Sequence, residues 1–324
     1  MKELSEVEYG DFSRFGTDEN DSKKKEDRLS NLPDEIIHRV LSFMDAVSAV
    51  QTSVLSKRWK SLWTSLPVLN FHCSSFDDPL LFHSFVDHFL SLRDASTNVH
   101  VLNFTCHDEL DDDDDDYNGH VVDSIIGYVT LTPTISTSIQ ILSIIAECVV
   151  GKLPQLSLCQ SLTTLKLADI STETPTTFDF VSLERLYLFD CRIECGEEEE
   201  LDLFRGCVSL RCLFLHDCQY YGKFRRFKIF APHLVDLSIQ GMRVDEVFDS
   251  DCVVELFTPK LQSFGYRDSD LYDFSIEVNL SFLEKVDIAM DCLTADADFF
   301  LRLIELFKVM GSAKFVSLSF EIIE

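Results

Sequence analysis

The sequence predicts an α/β protein: a short three-helix unit at the amino end, then a repeat solenoid with a parallel concave sheet and helices and irregular segments on its convex side. Three observations predict it. Residues 31–63, NLPDEIIHRVLSFMDAVSAVQTSVLSKRWKSLW, show helical apolar spacing broken by turn and cap residues. Farther on, a hexamer of the form apolar-x-x-apolar-x-apolar recurs, its first positions 21–27 residues apart between Ile139 and Leu283. The composition is that of an ordered chain, 46% hydrophobic and with 27 Phe against 11 Gly and 8 Pro.

Residues 1–26 hold 5 basic and 8 acidic groups and are expected to be a disordered lead-in. Lys23, Lys24 and Lys25 in DSKKKED form a basic run that fits a solvated segment better than a nuclear-import signal. The helical unit spans residues 27–71. Pro33 suits a first helical position, and Asp34 and Glu35 complement the positive end of the helix dipole. Ile36, Ile37, Val40, Leu41, Phe43 and Met44 then cover more than one face of the first helix. A second helix is expected through DAVSAVQTS, burying Val47 and Val50, and a third after Ser56 as N-cap, with Trp59 and Trp63 at i and i+4. So small a unit cannot bury all its apolar surface internally, so it calls for a partner.

LPDEIIHRVLSFM followed by AVQTSVLSKRWKSLW resembles the F-box of the large plant F-box family, with a departure at MDAVSAV, where the family usually places a Pro before the second helix. The resemblance implies binding to a Skp-type adaptor, which docks on a cullin scaffold carrying a RING subunit and a ubiquitin-conjugating enzyme. Leu32, Pro33, Ile36, Ile37, Val40, Leu41, Leu55 and Trp59 are the expected adaptor-binding residues, Trp59 being a large anchor of the kind that dominates interfaces. The alternative for each, above all Ile37, Leu41 and Leu55, is a place in the unit's own core.

Residues 72–324 are expected to form the repeat domain. LPVLNF at Leu66 reads as a strand, and the hexamers follow: VHVLNF from Val99, IQILSI from Ile139, LTTLKL from Leu162, LERLYL from Leu183, LRCLFL from Leu210, LVDLSI from Leu234, LQSFGY from Leu261, LEKVDI from Leu283 and FVSLSF from Phe315. Their spacing is that of leucine-rich repeats, which bury a continuous core by stacking. Cys191 and Cys218 stand where such repeats place Asn or Cys, as small buried hydrophobes near turn backbone. PLLFHSFVDHFLSL and ADADFFLRLIELFKVM are expected convex helices, the first with Leu80, Leu81, Phe85, Phe89 and Leu92 as core. The acidic runs Asp111 to Asp116 and Glu197 to Glu200 read as exposed loops or disorder. Many plant relatives continue after the repeats into a module called FBD, whose Trp and Pro signature is not found here.

The net charge of −28 argues against a surface built to neutralise phosphates, so neither nucleic acid nor a polyanionic cofactor is an expected ligand; a basic protein target fits the field better. Eleven cysteines, an odd count without paired short spacings, read as reduced thiols rather than disulfides or a metal site. No apolar run long enough for a signal peptide core or a membrane span occurs, and the expected location is cytosolic or nuclear. No nucleotide-binding, zinc-protease or nucleophile-elbow motif is present, and His38 and His107 lack a partnered nucleophile, so a non-catalytic role without cofactor is expected. Target binding falls to residues alternating outward along the strands: Lys166, Tyr187, Phe189, Phe214 and His216, with Gln240 and Arg267 beside them. Tyr187, Phe189 and Phe214 are expected to form an aromatic cluster on adjacent strands, either exposed as an interface or covered by a neighbouring helix or loop. Taken together, these readings imply a target-recognition subunit of an SCF-type ubiquitin ligase. A scaffold without target turnover, and a small-ligand sensor, are the alternatives.

Overall fold

The computed structural model describes residues 32–76, 78–106, 117–244, 252–269, 271–290 and 297–320. The expected lead-in, the Lys23–Lys25 run, His107 and the Asp111–Asp116 tract lie outside the described residues. The amino-terminal unit contains α1 (Asp34–Leu41), α2 (Ala46–Gln51), a 3-10 turn (Thr52–Val54) and α3 (Trp59–Leu62), which runs on into a second 3-10 turn (Trp63–Ser65). In place of the missing Pro, Asp45 caps α2. Its carboxylate accepts from the Ser48 backbone N–H at 2.8 Å and from the Ser48 hydroxyl at 2.9 Å. The inward face of α2 is Ala46 and Ala49, with Val47 and Val50 only half-buried, because small residues let the short helix lie close to its neighbours.

Strand β1 (Val68–His72) follows at once and pairs in parallel with β2 (Val101–Cys106), across the boundary expected at residues 71 and 72. The main ladder continues through β3 (Ile141–Val149), β4 (Thr164–Ser171) and β5 (Arg185–Phe189). The turns after these last strands lead into β6 (Arg192–Gly196), and then β7 (Glu200–Leu201) crosses to the far side. The ladder resumes with β8 (Cys212–His216), whose continuation β9 (Gln219–Gly222) pairs with β6, and the chain crosses again as β10 (Arg226–Phe230). Next come β11 (Asp236–Gln240), β12 (Arg243–Val244), β13 (Val253–Phe257), β14 (Ser263–Asp268), β15 (Asp273–Ile276), β16 (Lys285–Met290) and β17 (Phe315–Phe320). The main ladder has the order β1-β2-β3-β4-β5-β8-β11-β14-β16-β17, all parallel. A second parallel sheet, β15-β13-β10-β7, faces it across the core.

From β1 to β16 each hexamer's first apolar residue lies two positions ahead of its strand, while the second and third point inward. Leu165, Leu186 and Leu213 stand side by side in register, as do Leu167, Leu188 and Leu215, all fully buried. Each such side chain stabilises the fold by roughly 1.5–3 kcal/mol on burial, as an upper estimate. The last strand corrects the sequence reading by two residues. Phe315 pairs with Lys285, so the repeat begins at Ala313 and the residues in line with the buried Val286 and Ile288 are Val316 and Leu318, which stay exposed on this last strand. Within β4 the backbone passes through Asp169 at a φ of 61°; after β5 and β8 the chain turns through Asp190 and Asp217 at 50° and 55°, and after β11 through Gly241 at 54°. Asp and Gly are residues that tolerate this left-handed conformation. Cys191 and Cys218 follow directly, fully buried, with thiols directed at the carbonyls of Phe189 (3.3 Å) and His216 (3.4 Å).

Convex helices form at the two ends. Near the start lie α4 (Pro79–Leu92), α5 (Tyr117–Leu131) and the short α6 (Pro133–Ser136); α7 (Ala297–Val309) precedes β17. In α4 the buried face is Phe82, His83, Val86, Phe89 and Leu90, whereas Leu80, Leu81 and Leu92 are exposed, a rotation of the expected face. Between these ends the convex side is the second sheet, whose inward residues Phe227, Ile229, Val254 and Leu256 join the core. Ten cysteines among the described residues are free thiols.

Candidate functional site

Two surfaces gather the expected site residues. On the helical unit, α1 divides its apolar residues between inside and outside. Ile37 and Leu41 are completely buried, while Ile36 and Val40 are each 48% exposed and Phe43 is 75% exposed. Ile36 and Val40 lie one turn apart on α1, and Phe43, in the turn that follows it, continues the same side at i+7 from Ile36. Leu55 and Val54 in the following turn are also exposed, as is Pro33, and Leu32 is half-buried. The Arg58 guanidinium pairs with the Asp34 carboxylate and so ties the segment after that turn to the start of α1. Arg39 lies over the Phe43 ring at 5.2 Å.

Ile37, Leu41 and Trp59 therefore differ from their expected role as adaptor contacts. They are the unit's internal core, Trp59 with only 4% of its surface accessible. The unit is also joined to this chain's own repeats. Asn70 on β1 donates to the carbonyls of Ser42 and Met44, both at 3.1 Å. Trp63 and Phe71 pack on Phe89 of α4 at ring distances of 5.0 and 5.2 Å. Arg93, buried at the end of α4, donates to the carbonyls of Leu66 (2.8 Å) and Trp63 (3.5 Å) and to the Tyr128 hydroxyl (3.0 Å). What remains uncovered is the stripe of Ile36, Val40 and Phe43 with Val54 and Leu55. Phe43 and Val54 were absent from the expected set; the i+7 spacing from Ile36 is the signal that finds Phe43. His38 lies at 3.1 Å from the Ser65 hydroxyl, joining α1 to the turn after α3.

The second surface is the open face of the main ladder, where the parallel register brings the expected target-binding residues together. One row reads Lys166, Tyr187, Phe214, Ser238 and Gly265; the next reads Ala168, Phe189, His216, Gln240 and Arg267. Tyr187 stacks on Phe214 with ring centres 4.9 Å apart, and Phe189 meets the His216 ring edge-on at 5.3 Å. Lys166 places its ammonium 5.4 Å from the centre of the Phe189 ring, within cation–π range. His216 also bonds the Ser238 hydroxyl at 2.9 Å. All five stay half-buried against one another. Burial pushes the Tyr187 phenol up, aided by Cys212, and draws the His216 imidazole below its ordinary 6.5, so both are neutral near pH 7. A rigid, neutral aromatic ridge with one lysine suits recognition by packing rather than proton transfer.

The thiols nearby are interior groups. Cys207 directs its Sγ at the Phe178 carbonyl at 3.2 Å, and burial pushes its thiol, like that of Cys195, to about 12. Among the described residues no three His, Cys, Asp or Glu side chains cluster as a metal site, and no helix is long and apolar enough to cross a membrane.

Comparison with known proteins agrees with both halves of this architecture. Residues 29–71 match the F-box domain model. An F-box/FBD/LRR-repeat protein of Arabidopsis thaliana is 28% identical over 272 residues, covering 81% of this chain and 58% of its own length. A second is 31% identical over 245 residues, covering 71% of this chain and 50% of its own length. A third reaches 44% identity over 80 residues, 24% of this chain and 18% of its own length. The chain thus spans about half the length of the relatives it matches over most of its residues.

Proposed function

We propose that the chain, which carries an F-box and resembles plant F-box/leucine-rich-repeat proteins, is the target-recognition subunit of an SCF-type ubiquitin ligase. The observation that carries the proposal is the row of Ile36, Val40 and Phe43 left outside a helical unit whose own core, Ile37, Leu41 and Trp59, is already buried. Exposed apolar side chains in a row on a short helix are the material of a helix-mediated interface. In this reading a Skp-type adaptor covers them and links the chain to a cullin and its RING subunit. The aromatic ridge around Tyr187 and Phe214 then holds a target protein.

The chain itself transfers nothing. Because β1 belongs both to the F-box and to the ladder, the adaptor-binding and target-binding faces are parts of one body. A target lysine is thereby held near the ubiquitin thioester at an effective concentration that bimolecular encounter does not reach. The test is proximity labelling by the tagged chain in plant cells with the proteasome blocked. Proteins labelled by the wild type should include targets that accumulate under the block and are lost with Tyr187→Ala plus Phe214→Ala, while adaptor and cullin labelling persists. A labelling set indifferent to those substitutions and to the block rejects the target-receptor reading.

A further inference from the structure

The outer face of the second sheet carries a groove of about 1380 Å³, far from the aromatic ridge on the opposite face of the solenoid. Its floor is the outward row of β10 and β13, and the segments 177–179 and 198–206 form one wall. Two of its carboxylates are already answered. Lys228 sits 2.6 Å from Glu200 and 3.6 Å from Glu255, and Arg226 pairs with Glu255. The other charges lining it are Asp179, Glu198, Glu199, Asp202 and Glu277 against the single cation Arg205, and none of these is in an ion pair among the described residues.

Asp202 is half-buried; its Oδ1 is shielded from solvent without a hydrogen-bond donor among the described residues, and although the Phe204 N–H, Arg205 and Lys228 favour its charge, burial still pushes its carboxyl above the usual range. A partly desolvated carboxylate in that state gains from a cation placed beside it. At the end of the floor Phe230 and Phe257 stack at 4.6 Å with their planes within 10°, yet remain 45% and 39% exposed. Acid wall and aromatic floor together ask for a ligand with positive charges on either side of a large apolar group. Nucleic acids and anionic lipid surfaces have the wrong sign.

We propose that this groove is a docking site for a basic segment of a partner protein, its Lys or Arg groups against Glu198, Glu199, Asp202 and Glu277 and an apolar side chain on the Phe230–Phe257 pair. The site is independent of the F-box surface and of the aromatic ridge, so it stands or falls separately from the ligase role.

The test uses the full chain and a short fluorescein-labelled peptide in which lysines and arginines flank a Leu-Trp pair, followed by fluorescence anisotropy. The wild type binds, and added salt weakens binding. Glu198→Gln, Glu199→Gln and Glu277→Gln together weaken it about tenfold, and Phe230→Gln weakens it separately. Asp87→Asn, Glu147→Gln and Asp298→Asn remove the same charge from exposed positions outside the groove and leave binding unchanged. Absence of peptide binding by the folded wild type overturns the proposal. So does equal weakening by the two triple variants, which marks diffuse attraction to an acidic protein, or equal binding of a peptide in which alanines replace the Leu-Trp pair.

Discussion

Arg93 joins the F-box to the solenoid, and its removal is the most informative stability experiment the structure offers. The guanidinium is 7% exposed and satisfies the carbonyls of Leu66 and Trp63, the last turn of the F-box, together with the hydroxyl of Tyr128 on α5 and that of Thr97 at 3.3 Å. Burial pulls its pKa below that of a free guanidinium, because desolvation disfavours the cation. Arg93→Met keeps most of the volume and removes every donor. The Leu66 carbonyl is left unanswered in the interior at a cost of about 1–3 kcal/mol, whereas the Trp63 carbonyl keeps the Leu66 N–H, and relief of the buried charge offsets part of the loss. A net loss of about 1–2 kcal/mol follows, with Tyr128→Phe losing about 1 kcal/mol because one donor–acceptor pair disappears. The assay is urea unfolding followed by tryptophan fluorescence. Both tryptophans of the chain, Trp59 and Trp63, lie in the F-box, so the signal reports this junction even where distant repeats unfold separately. A midpoint for Arg93→Met within error of wild type, at unchanged slope, would refute the clasp and with it the single-body view of F-box and repeats.

Other expectations follow from burial and register. Leu41→Ala, in the interior of the F-box, should lose about 2–5 kcal/mol in the same assay, whereas Val40→Asp on the outer stripe should stay within about 0.5 kcal/mol; similar losses for both would contradict the division of α1 into faces. Timed alkylation with peptide mapping by mass spectrometry should label Cys73 and Cys212, the partly accessible thiols, before Cys191, Cys207 and Cys218; early modification of Cys207 would count against its burial. His216 titrates below 6.5 in the folded chain because burial disfavours the imidazolium. Its contribution to stability is therefore complete above about pH 6.5 and is lost as the pH falls through the folded value, and NMR titration of its ring protons against those of the unfolded chain measures the sign directly.

Much of the ladder was legible because its signal is periodic. The hexamers from Val99 to Leu283 mark strands that the structure places two residues after each first position, since that residue packs in the turn leading into the strand. At Phe315 the same pattern matches in two frames, Ala313 being too small to stand out, and only the pairing of Phe315 with Lys285 decides between them. The second sheet was missed although RFKIF and VVELF alternate as strands do, because its strands are short and lie between stronger leucine hexamers. The outward aromatic row could be named from alternation alone, and its stacking needed only the parallel register. The F-box residues were harder. Sequence marks Ile36, Ile37, Val40 and Leu41 as equally apolar, and what separates them is the direction of packing on α2, α3 and β1. That direction depends on Asn70, Phe89 and Arg93, which come from outside the F-box pattern or from its last strand.

The central claim is that the stripe on α1 exists to be covered by an adaptor. Isothermal titration of the purified chain with a plant Skp-type adaptor tests it, comparing wild type with Ile36→Asp plus Val40→Asp, and circular dichroism establishes that both are folded. Tight binding by the wild type, and at least about a hundredfold weakening in a variant of unchanged fold, is the predicted result. Equal affinity of the two chains, or no binding by a folded wild type, would contradict it.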